Sequence, residues 1–398
     1  MGLSATTTNG APTLSRTPLR DGGQFVNDLA AFQALTVAGR RYAANFAGAD
    51  LGAKVNAAIA DLSGGGEVWL PPGASSFSTP IVIETSSIRL RGVGSYSRFN
   101  PAASTTLLTF TGAAGNAITI GDGVSRTQGV GLEDFRLKYP AIAGNAVEIK
   151  SNANTGLIRG LYLDGTSDNG TGILTGDTST IAWFAERLTA RNFNIGLDLN
   201  THTWSNYIGC YVNDCATGVR LGNSNIAVCV NFIGCDFEQN VIDIDIVDAD
   251  TVNIRDSYFE TEEGVTSRML RVGVGGTVCN NINLVGCRNN PVESDADDLI
   301  EISNVRGMLI EGNRFVSLGG GGGRTVILNN ATSVNQLVIR GNVYDAADIL
   351  ISDTTGVVEM HDRDGNVIYP NMPDGDPSVA GALYRVSTGN NQVRWSTG

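Results

Sequence analysis

The segment NFIGCDFEQN at residues 231–240 places two carboxylates, Asp236 and Glu238, two residues apart behind an apolar run. Alternate side chains of a β-strand lie on one face, so these two carboxylates would point the same way. Neighbouring carboxylates can hydrolyse a glycosidic bond, one donating a proton and the other acting as nucleophile or base. They could equally be the polar outer face of one strand among many. The choice depends on the surrounding elements.

The composition excludes several classes of protein. The chain has 398 residues, of which 42% are hydrophobic, so it is not largely disordered, and it is long for one ordinary core. A formal net charge of −13 repels phosphate backbones, so we expect no nucleic-acid partner. The sequence has no apolar run long enough for a membrane span, and the first 23 residues contain no apolar core of a secretion signal.

Metal sites and disulfides are not predicted. No two cysteines form a CxxC pair, and the two histidines, His202 and His361, are far apart. We therefore predict no cofactor. The alternating run DIDIVDAD at 243–250 is interpreted as an exposed strand face, and the loop ESDADD at 293–298 is where a structural Ca²⁺ ion would bind. We predict mostly free, buried thiols for the six cysteines: Cys210, Cys215, Cys229, Cys235, Cys279 and Cys287.

A repeat organises most of the chain. Six-residue segments recur every 22–30 residues, and each is followed by a second short apolar stretch. Short strands at this period predict an all-β solenoid, because leucine-rich repeats need a motif that is absent and propeller blades are longer. We predict a right-handed parallel β-helix. The aligned segments are LEDFRL from Leu132, IRGLYL from Ile158, AERLTA from Ala185, YIGCYV from Tyr207, FIGCDF from Phe232, IRDSYF from Ile254, LVGCRN from Leu284, IEGNRF from Ile310 and IRGNVY from Ile339.

The alignment assigns side chains to the inside and outside of the solenoid. Positions four and six are small, apolar or amide residues that could stack inward, so positions five and seven should point outward. Stacked coils are about 4.8 Å apart, which would bring the carboxylates of neighbouring coils about 5 Å apart, as in retaining glycosidases. We predict Glu238, Glu260 and Asp236 as catalytic. The predicted outward rows are Tyr211–Asp236–Tyr258 and Asn213–Glu238–Glu260.

Other residues near these rows could bind a sugar. Tyrosine rings can stack on sugar faces, arginines can orient an acidic sugar, and the segment NTHTWSNY at 200–207 could form a platform at a loop edge. The predicted substrate-binding residues are Tyr211, Tyr258, Arg255, Arg288, Trp204 and His202.

The N-terminal end of the solenoid carries the strongest family resemblance. Apolar residues at helical spacing predict a capping helix near 50–62, followed by the strand and turn GGGEVWLPPG and by SIRLRGVG at 87–94. This order resembles the β-helix proteins of the pectate-lyase superfamily, and most closely the branch of bacteriophage tailspikes and capsule depolymerases. The resemblance covers about residues 45–360 and is specific for the fold rather than for the reaction.

The resemblance implies a domain organisation and partners. Residues 1–44 would be an N-terminal arm or adaptor that contacts virion tail proteins, and 45–368 the β-helix. Residues 369–398 are predicted to form a β-hairpin. Similar C-terminal segments of phage fibres pack three chains together, so the resemblance implies a homotrimer, located in a virion or outside the cell. The Asn-Thr-Asp and Gly-His-Gly motifs of polygalacturonases are absent, as is the Arg-x-Pro-x-x-Arg setting of calcium pectate lyases.

Three functions remain open at this point. The preferred one is a phage-type tailspike that binds and hydrolyses a bacterial surface polysaccharide. The second is a spike that binds the glycan without cutting it. The third is a polysaccharide lyase or epimerase, in which Tyr211 or Tyr258 would act as the base.

Overall fold

A computed structural model describes residues 39–95, 106–140, 143–166, 169–261, 267–275, 277–290 and 299–315, together with the separate strands given below. It confirms the predicted fold, a right-handed parallel β-helix with one N-terminal helix. A complete coil contributes one strand to each of three faces, which we call the first, second and third faces in chain order. Strands within each face pair with the coils before and after them, and the end strands pair on one side, so the backbone hydrogen bonds run along the solenoid axis.

The first and second faces belong to one continuous sheet of 24 strands, and the third face is a separate sheet of 11 strands. The first face consists of Ile81–Ile83, Ile118–Ile120, Asn145–Ile149, Thr171–Thr175, Ile195–Leu199, Thr217–Leu221, Ile242–Ile246, Arg268–Val272 and Ile349–Ile351, and it includes the beginnings of two long strands, Ile300–Glu311 and Thr325–Arg340. The second face consists of Arg40–Tyr42, Gly66–Trp69, Ile88–Arg91, Gly131–Glu133, Leu157–Arg159, Phe184–Glu186, His202–Ile208, Ala227–Ile233, Ala249–Arg255, Cys279–Val285, the later parts of the two long strands, and Val357–His361. The third face consists of Gly73–Phe77, Thr106–Phe110, Arg136–Lys138, Tyr162–Asp164, Thr189–Arg191, Tyr211–Asn213, Asp236–Asn240, Tyr258–Thr261, Arg288–Asn289, Arg314–Phe315 and Val343–Tyr344.

A few short elements lie outside this scheme. Thr127–Gln128 pairs in parallel with Ala153–Asn154, Thr180–Ile181 pairs with the start of His202–Ile208, and Val367–Ile368 pairs antiparallel with Val357–His361. The antiparallel pairs at the two ends of the chain are Gly2–Thr8 with Ala11–Thr17 and Leu383–Arg385 with Val393–Trp395. A 3₁₀ turn occupies Ala43–Asn45.

The capping helix spans Leu51–Ala60 and is fixed at its N-terminus by Asp50. One carboxylate oxygen of Asp50 accepts from the Ala53 amide at 2.9 Å, and the other accepts from the Ser78 and Thr79 amides at 2.7 and 2.8 Å. Burial opposes ionisation, but these hydrogen bonds outweigh it and lower the pKa of Asp50. The same side chain therefore caps the helix and ties it to the first coils.

A left-handed backbone residue at position three of the repeat turns the chain from the second face to the third. This residue has φ of 57° at Gly209, 59° at Gly234, 51° at Asp256 and 53° at Arg187. The residue after each corner is buried, as predicted for position four. Glycine favours such a conformation, yet Asp and Arg also occupy it here, so composition alone does not reveal the corner.

The interior is filled by stacked side chains from successive coils. The rings of Phe237 and Phe259 stack with centroids 5.0 Å apart, and Tyr207 stacks on Phe232 at the same distance. All six cysteines are free thiols, and all except Cys229 are buried, which confirms the prediction of free thiols.

An alternating row of charges runs along the outside of the first face. Its members are in register on consecutive coils, in the order Asp198, Arg220, Asp245, Arg271 and Glu301. Arg220 donates to both carboxylate oxygens of Asp198 at 3.2 and 2.5 Å, and Arg271 donates to those of Asp245 at 3.2 and 3.0 Å. The interpretation of 243–250 as an exposed face is wrong for its first two aspartates, because Asp245 is buried under its arginines and Asp243 lies inside the solenoid.

Candidate functional site

The predicted carboxylate rows form on the third face. The strands Tyr211–Asn213, Asp236–Asn240 and Tyr258–Thr261 pair in parallel, with Tyr211 opposite Asp236 and Asp236 opposite Tyr258. In the second row, Asn213 is opposite Glu238 and Glu238 is opposite Glu260. The predicted register is therefore confirmed. It places Asp236 between two tyrosines and the two glutamates side by side.

Each glutamate is paired with a tyrosine. The Tyr211 hydroxyl donates to Oε2 of Glu238 at 2.7 Å, and the Tyr258 hydroxyl donates to Oε2 of Glu260 at 2.7 Å. All four side chains are half-buried. Burial, together with the hydrogen bond to negatively charged Glu260, raises the pKa of Tyr258 to about 12. Tyr258 therefore acts as a fixed hydrogen-bond donor near neutral pH.

A buried polar pair lies behind the carboxylates. Asn240 Nδ2 donates to Asp243 Oδ1 at 2.8 Å and to the Val212 carbonyl at 3.0 Å, and Asn240 Oδ1 accepts from the Cys215 amide. Asp243 is fully buried, and its second oxygen makes no hydrogen bond. Burial raises the pKa of Asp243 well above its ordinary value, and the charges of Asp236, Glu238 and Glu260 raise it further.

The two predicted arginines separate. Arg288 is exposed and follows Tyr258 directly in its row, so it borders the carboxylates. Arg255 ends a strand of the second face, paired with Ile233 and Val285, and the corner at Asp256 turns the chain before Tyr258. The structure does not bring Arg255 into the same row as the carboxylates.

His202 cannot take part in the predicted sugar platform at 200–207. His202 is fully buried, its Nε2 is 2.9 Å from the Tyr207 hydroxyl, and burial lowers its pKa to about 3. It is neutral and cannot touch a ligand at the surface. Trp204 is 65% exposed, but it lies on the second face, away from the third-face strands.

Sequence reasoning missed a second polar cluster on the third face. The Arg136 guanidinium lies 5.0 Å and that of Arg191 5.6 Å from the ring centroid of Tyr162, and both arginines bond to Asp164, with Arg191 Nε at 2.9 Å. Arg191 is opposite Asn213 and so continues the row that contains the glutamates. These residues occupy positions five and seven of the first three repeats. The expectation that positions five and seven point outward would have found them if it had been applied to every coil.

The described residues contain no group of three or more side chains suited to hold a metal ion. The predicted calcium loop at 293–298 lies outside the described residues, as does the side chain of His361. In the part of the chain that the structure describes, no helix is long and apolar enough to cross a membrane.

Comparisons with known proteins show the fold alone. No family model and no curated protein matches the chain. Among solved structures, DFA-IIIase from Arthrobacter chlorophenolicus A6 in complex with GF2 has a TM-score of 0.57 at 14% identity, covering 83% of this chain and 98% of that chain. The A-module of the mannuronan C-5 epimerase AlgE6 from Azotobacter vinelandii has a TM-score of 0.54 at 13% identity, and the match covers 78% of this chain and 95% of that chain. ORF18 of Geobacillus virus E2 matches 99% of this chain and 92% of that chain at 15% identity. Its TM-score of 0.44 is too low to show a shared fold.

Proposed function

We propose that this protein binds and hydrolyses a polysaccharide on its third face. The observation that carries the proposal is the pairing of Glu238 with Glu260 on adjacent strands, each with a tyrosine hydroxyl on Oε2. Strands about 4.8 Å apart match the short carboxylate separation of retaining glycosidases, about 5–5.5 Å. The names of two structural neighbours, a mannuronan C-5 epimerase and DFA-IIIase, agree with a carbohydrate substrate.

The two glutamates would divide the reaction between them. One, protonated, donates its proton to the leaving glycosidic oxygen, and the other attacks the anomeric carbon as a carboxylate. The first then removes a proton from the water that releases the sugar. Asp236, between the two tyrosines, adds negative charge where the oxocarbenium-like transition state develops positive charge. Arg288 borders the site and can hold an acidic or polar group of the substrate.

A lyase or epimerase is the second candidate, because one structural neighbour is by name an epimerase. That chemistry needs a base to remove a proton from carbon. A pKa of about 12 makes Tyr258 a poor base near neutral pH. Hydrolysis by the glutamates is therefore the better-supported reaction.

The proposal includes an assembly and a location. On the resemblance to tailspikes, we propose a homotrimer in a virion or outside the cell, with the N-terminal arm bound to tail proteins. Sedimentation of the purified full chain tests the trimer. A glycan that binds and stays uncut would indicate the non-enzymatic spike.

The test is a panel of capsular and O-antigen polysaccharides, read for new reducing ends and for the ultraviolet absorbance of unsaturated products. We expect reducing ends without absorbance, and a loss of about 10²–10⁴-fold in Glu238→Gln and Glu260→Gln. Glu186→Gln is the matched control, because Glu186 is a half-exposed glutamate on the second face. Full activity in both glutamate variants would show that this site is wrong, and absorbance would identify a lyase.

A further inference from the structure

An uncharged outward row runs along the second face. Six coils in register place Phe184, Asn206, Asn231, Asn253, Asn283 and Leu309 in this row. Outward positions on a chain of net charge −13 commonly carry charge, as the first face does. Here apolar residues flank four amides and no member is ionisable, so the row suits an uncharged ligand.

An exposed tryptophan stands at one end of this row. Trp204, two residues before Asn206, is 65% exposed and has φ of 55°, in the left-handed region. A bulky residue in that conformation costs about 1–2 kcal/mol per residue. The same corner on later coils is Cys229, Thr251 and Asn281, so only this coil presents an aromatic ring. Phe184, on the preceding coil, is 36% exposed and adds a second aromatic side chain at this end of the row.

The four asparagines form a ladder with remaining hydrogen-bonding capacity. Asn231 donates to Asn206 at 2.9 Å, Asn253 donates to Asn231 at 2.8 Å, and Asn283 donates to Asn253 at 3.0 Å. A primary amide has two N–H donors and two lone pairs, and each link uses one of each. The inner asparagines therefore keep one N–H and one lone pair, held at the spacing of the coils.

A shallow open groove of about 380 Å³ lies at the other end of the row. Leu309 and Val338 provide its apolar surface, while Asn281, Asn283 and Gln336 provide amides. Arg340 also lines the groove, but it is ion-paired with Glu311 at 2.9 Å. The groove thus combines apolar surface and amide groups, as ligand sites do.

We propose that this track, from Trp204 to the groove at Leu309, is a second, non-catalytic site that binds an uncharged oligosaccharide along the solenoid axis. It spans four strand spacings, about 19 Å, and so takes several sugar rings. A sugar ring presents a CH face that stacks on Trp204 and packs on Leu309 and Val338. Its hydroxyl groups both donate and accept, which matches the unused N–H and lone pairs of the ladder.

The second site is distinct from the carboxylate site. The two lie on different faces, separated by the left-handed corner of each coil, and the track row contains no acid or base. The site therefore holds a glycan without cutting it. It would keep the protein on a polymer while the third face acts on another stretch of chain.

The test uses the full chain carrying Glu238→Gln and Glu260→Gln, so that no probe is cleaved. Maltohexaose, cellohexaose, mannohexaose and N-acetylchitohexaose are the uncharged probes, and polygalacturonate is the anionic one. Binding is followed by tryptophan fluorescence and calorimetry. We expect at least one uncharged hexasaccharide to bind and its disaccharide to bind more weakly. Trp204→Ala should weaken binding about tenfold, the equivalent of about 1.4 kcal/mol.

Leu309→Glu tests the far end of the track and should also weaken binding, because it places a charge in the uncharged row. Val124→Ala is the control, since Val124 is 84% exposed on a loop outside the track, and it should bind normally. The proposal is overturned if no uncharged hexasaccharide binds, if only polygalacturonate binds, or if both track variants bind normally. It is also overturned if the variants dissociate an oligomer without affecting binding, because a second copy would then occupy this face. Polysaccharide cleavage by the wild-type chain is scored separately, so either proposal can fail alone.

Discussion

The buried carboxyl of Asp243 makes protein stability depend on pH in a direction opposite to that of most acids. In the unfolded chain an aspartate loses its proton near pH 3.9, whereas folded Asp243 retains it because burial and three nearby carboxylates raise its pKa. Above pH 3.9 the folded state therefore binds one more proton than the unfolded state. The contribution of Asp243 to the free energy of unfolding must therefore fall as pH rises, until the pH reaches the pKa of Asp243 in the folded state. Asp243→Asn removes that proton and that dependence.

The magnitude follows from linkage. One extra proton changes the free energy of unfolding by about 1.4 kcal/mol per pH unit, so two pH units above pH 4 give about 2.7 kcal/mol. The amide oxygen can replace Asp243 Oδ1 as the acceptor for Asn240 at 2.8 Å. The amide nitrogen replaces an oxygen that makes no hydrogen bond, which adds a constant of about 1–3 kcal/mol without pH dependence. The retained proton is therefore measured by how the stability difference between wild type and Asp243→Asn changes with pH, and not by its constant part.

The assay is guanidinium unfolding of both proteins at half-unit steps from pH 4 to 7, followed by tryptophan fluorescence. We expect the stability of wild type relative to Asp243→Asn to fall steadily with rising pH. A difference that stays constant over the whole range would refute the reasoning, because Asp243 would then titrate alike in both states. Asp50→Asn is the control without a slope, because the lowered pKa of Asp50 confines its pH dependence to values below the unfolded pKa.

The remaining predictions concern stability. Asp50→Asn should cost about 1–3 kcal/mol, because the amide nitrogen cannot accept the hydrogen bonds from the Ser78 and Thr79 amides. Because the pKa of Asp50 is lowered, this stabilisation should be present above the unfolded pKa and lost as pH falls towards the folded one; the same unfolding assay, extended below pH 4, measures it. Arg220→Met should cost about 3 kcal/mol in denaturant unfolding by leaving the buried carboxylate of Asp198 unpaired, and adding Asp198→Asn should recover part of it. Phe237→Ala should cost about 3–5 kcal/mol in denaturant unfolding, since its ring is fully buried against a stacked neighbour; a cost below about 1 kcal/mol would contradict that packing. Gly234→Ala should cost only about 1 kcal/mol in the same unfolding assay, because open space surrounds the added carbon and only its φ of 59° opposes it.

The fold and the carboxylate register were accessible from sequence because both depend on local spacing. The repeat fixes where each coil meets the next, and a period of two along a strand then fixes which side chains point outward. Tyr211, Asp236 and Tyr258 could therefore be placed opposite one another without any structure. The same alignment predicted the buried position held by Cys210 and Cys235.

The predictions that were wrong concern residues near turns of the chain or residues whose burial depends on packing. Arg255 is three residues from Tyr258 in sequence, but the corner at Asp256 puts them on different faces, and an aspartate gives no sign of a corner. Asp243 follows the alternation of an exposed strand, yet it is buried against Asn240. The neighbouring position on the preceding coil is Gly218, where any added side chain would meet the Asp243 carbonyl and the Asn240 amide. His202 looked like a ligand contact, but only the three-dimensional packing shows that its ring is buried.

The alternating charges on the first face constrain how the solenoid can change length. Acid and base exchange places at every coil from Asp198 to Glu301. Duplicating or deleting one coil in this stretch would set two like charges on adjacent strands about 4.8 Å apart, which is unfavourable. Duplicating or deleting two coils restores the alternation. The evolutionary unit of growth in this part of the solenoid should therefore be the coil pair, although the structural unit is the single coil.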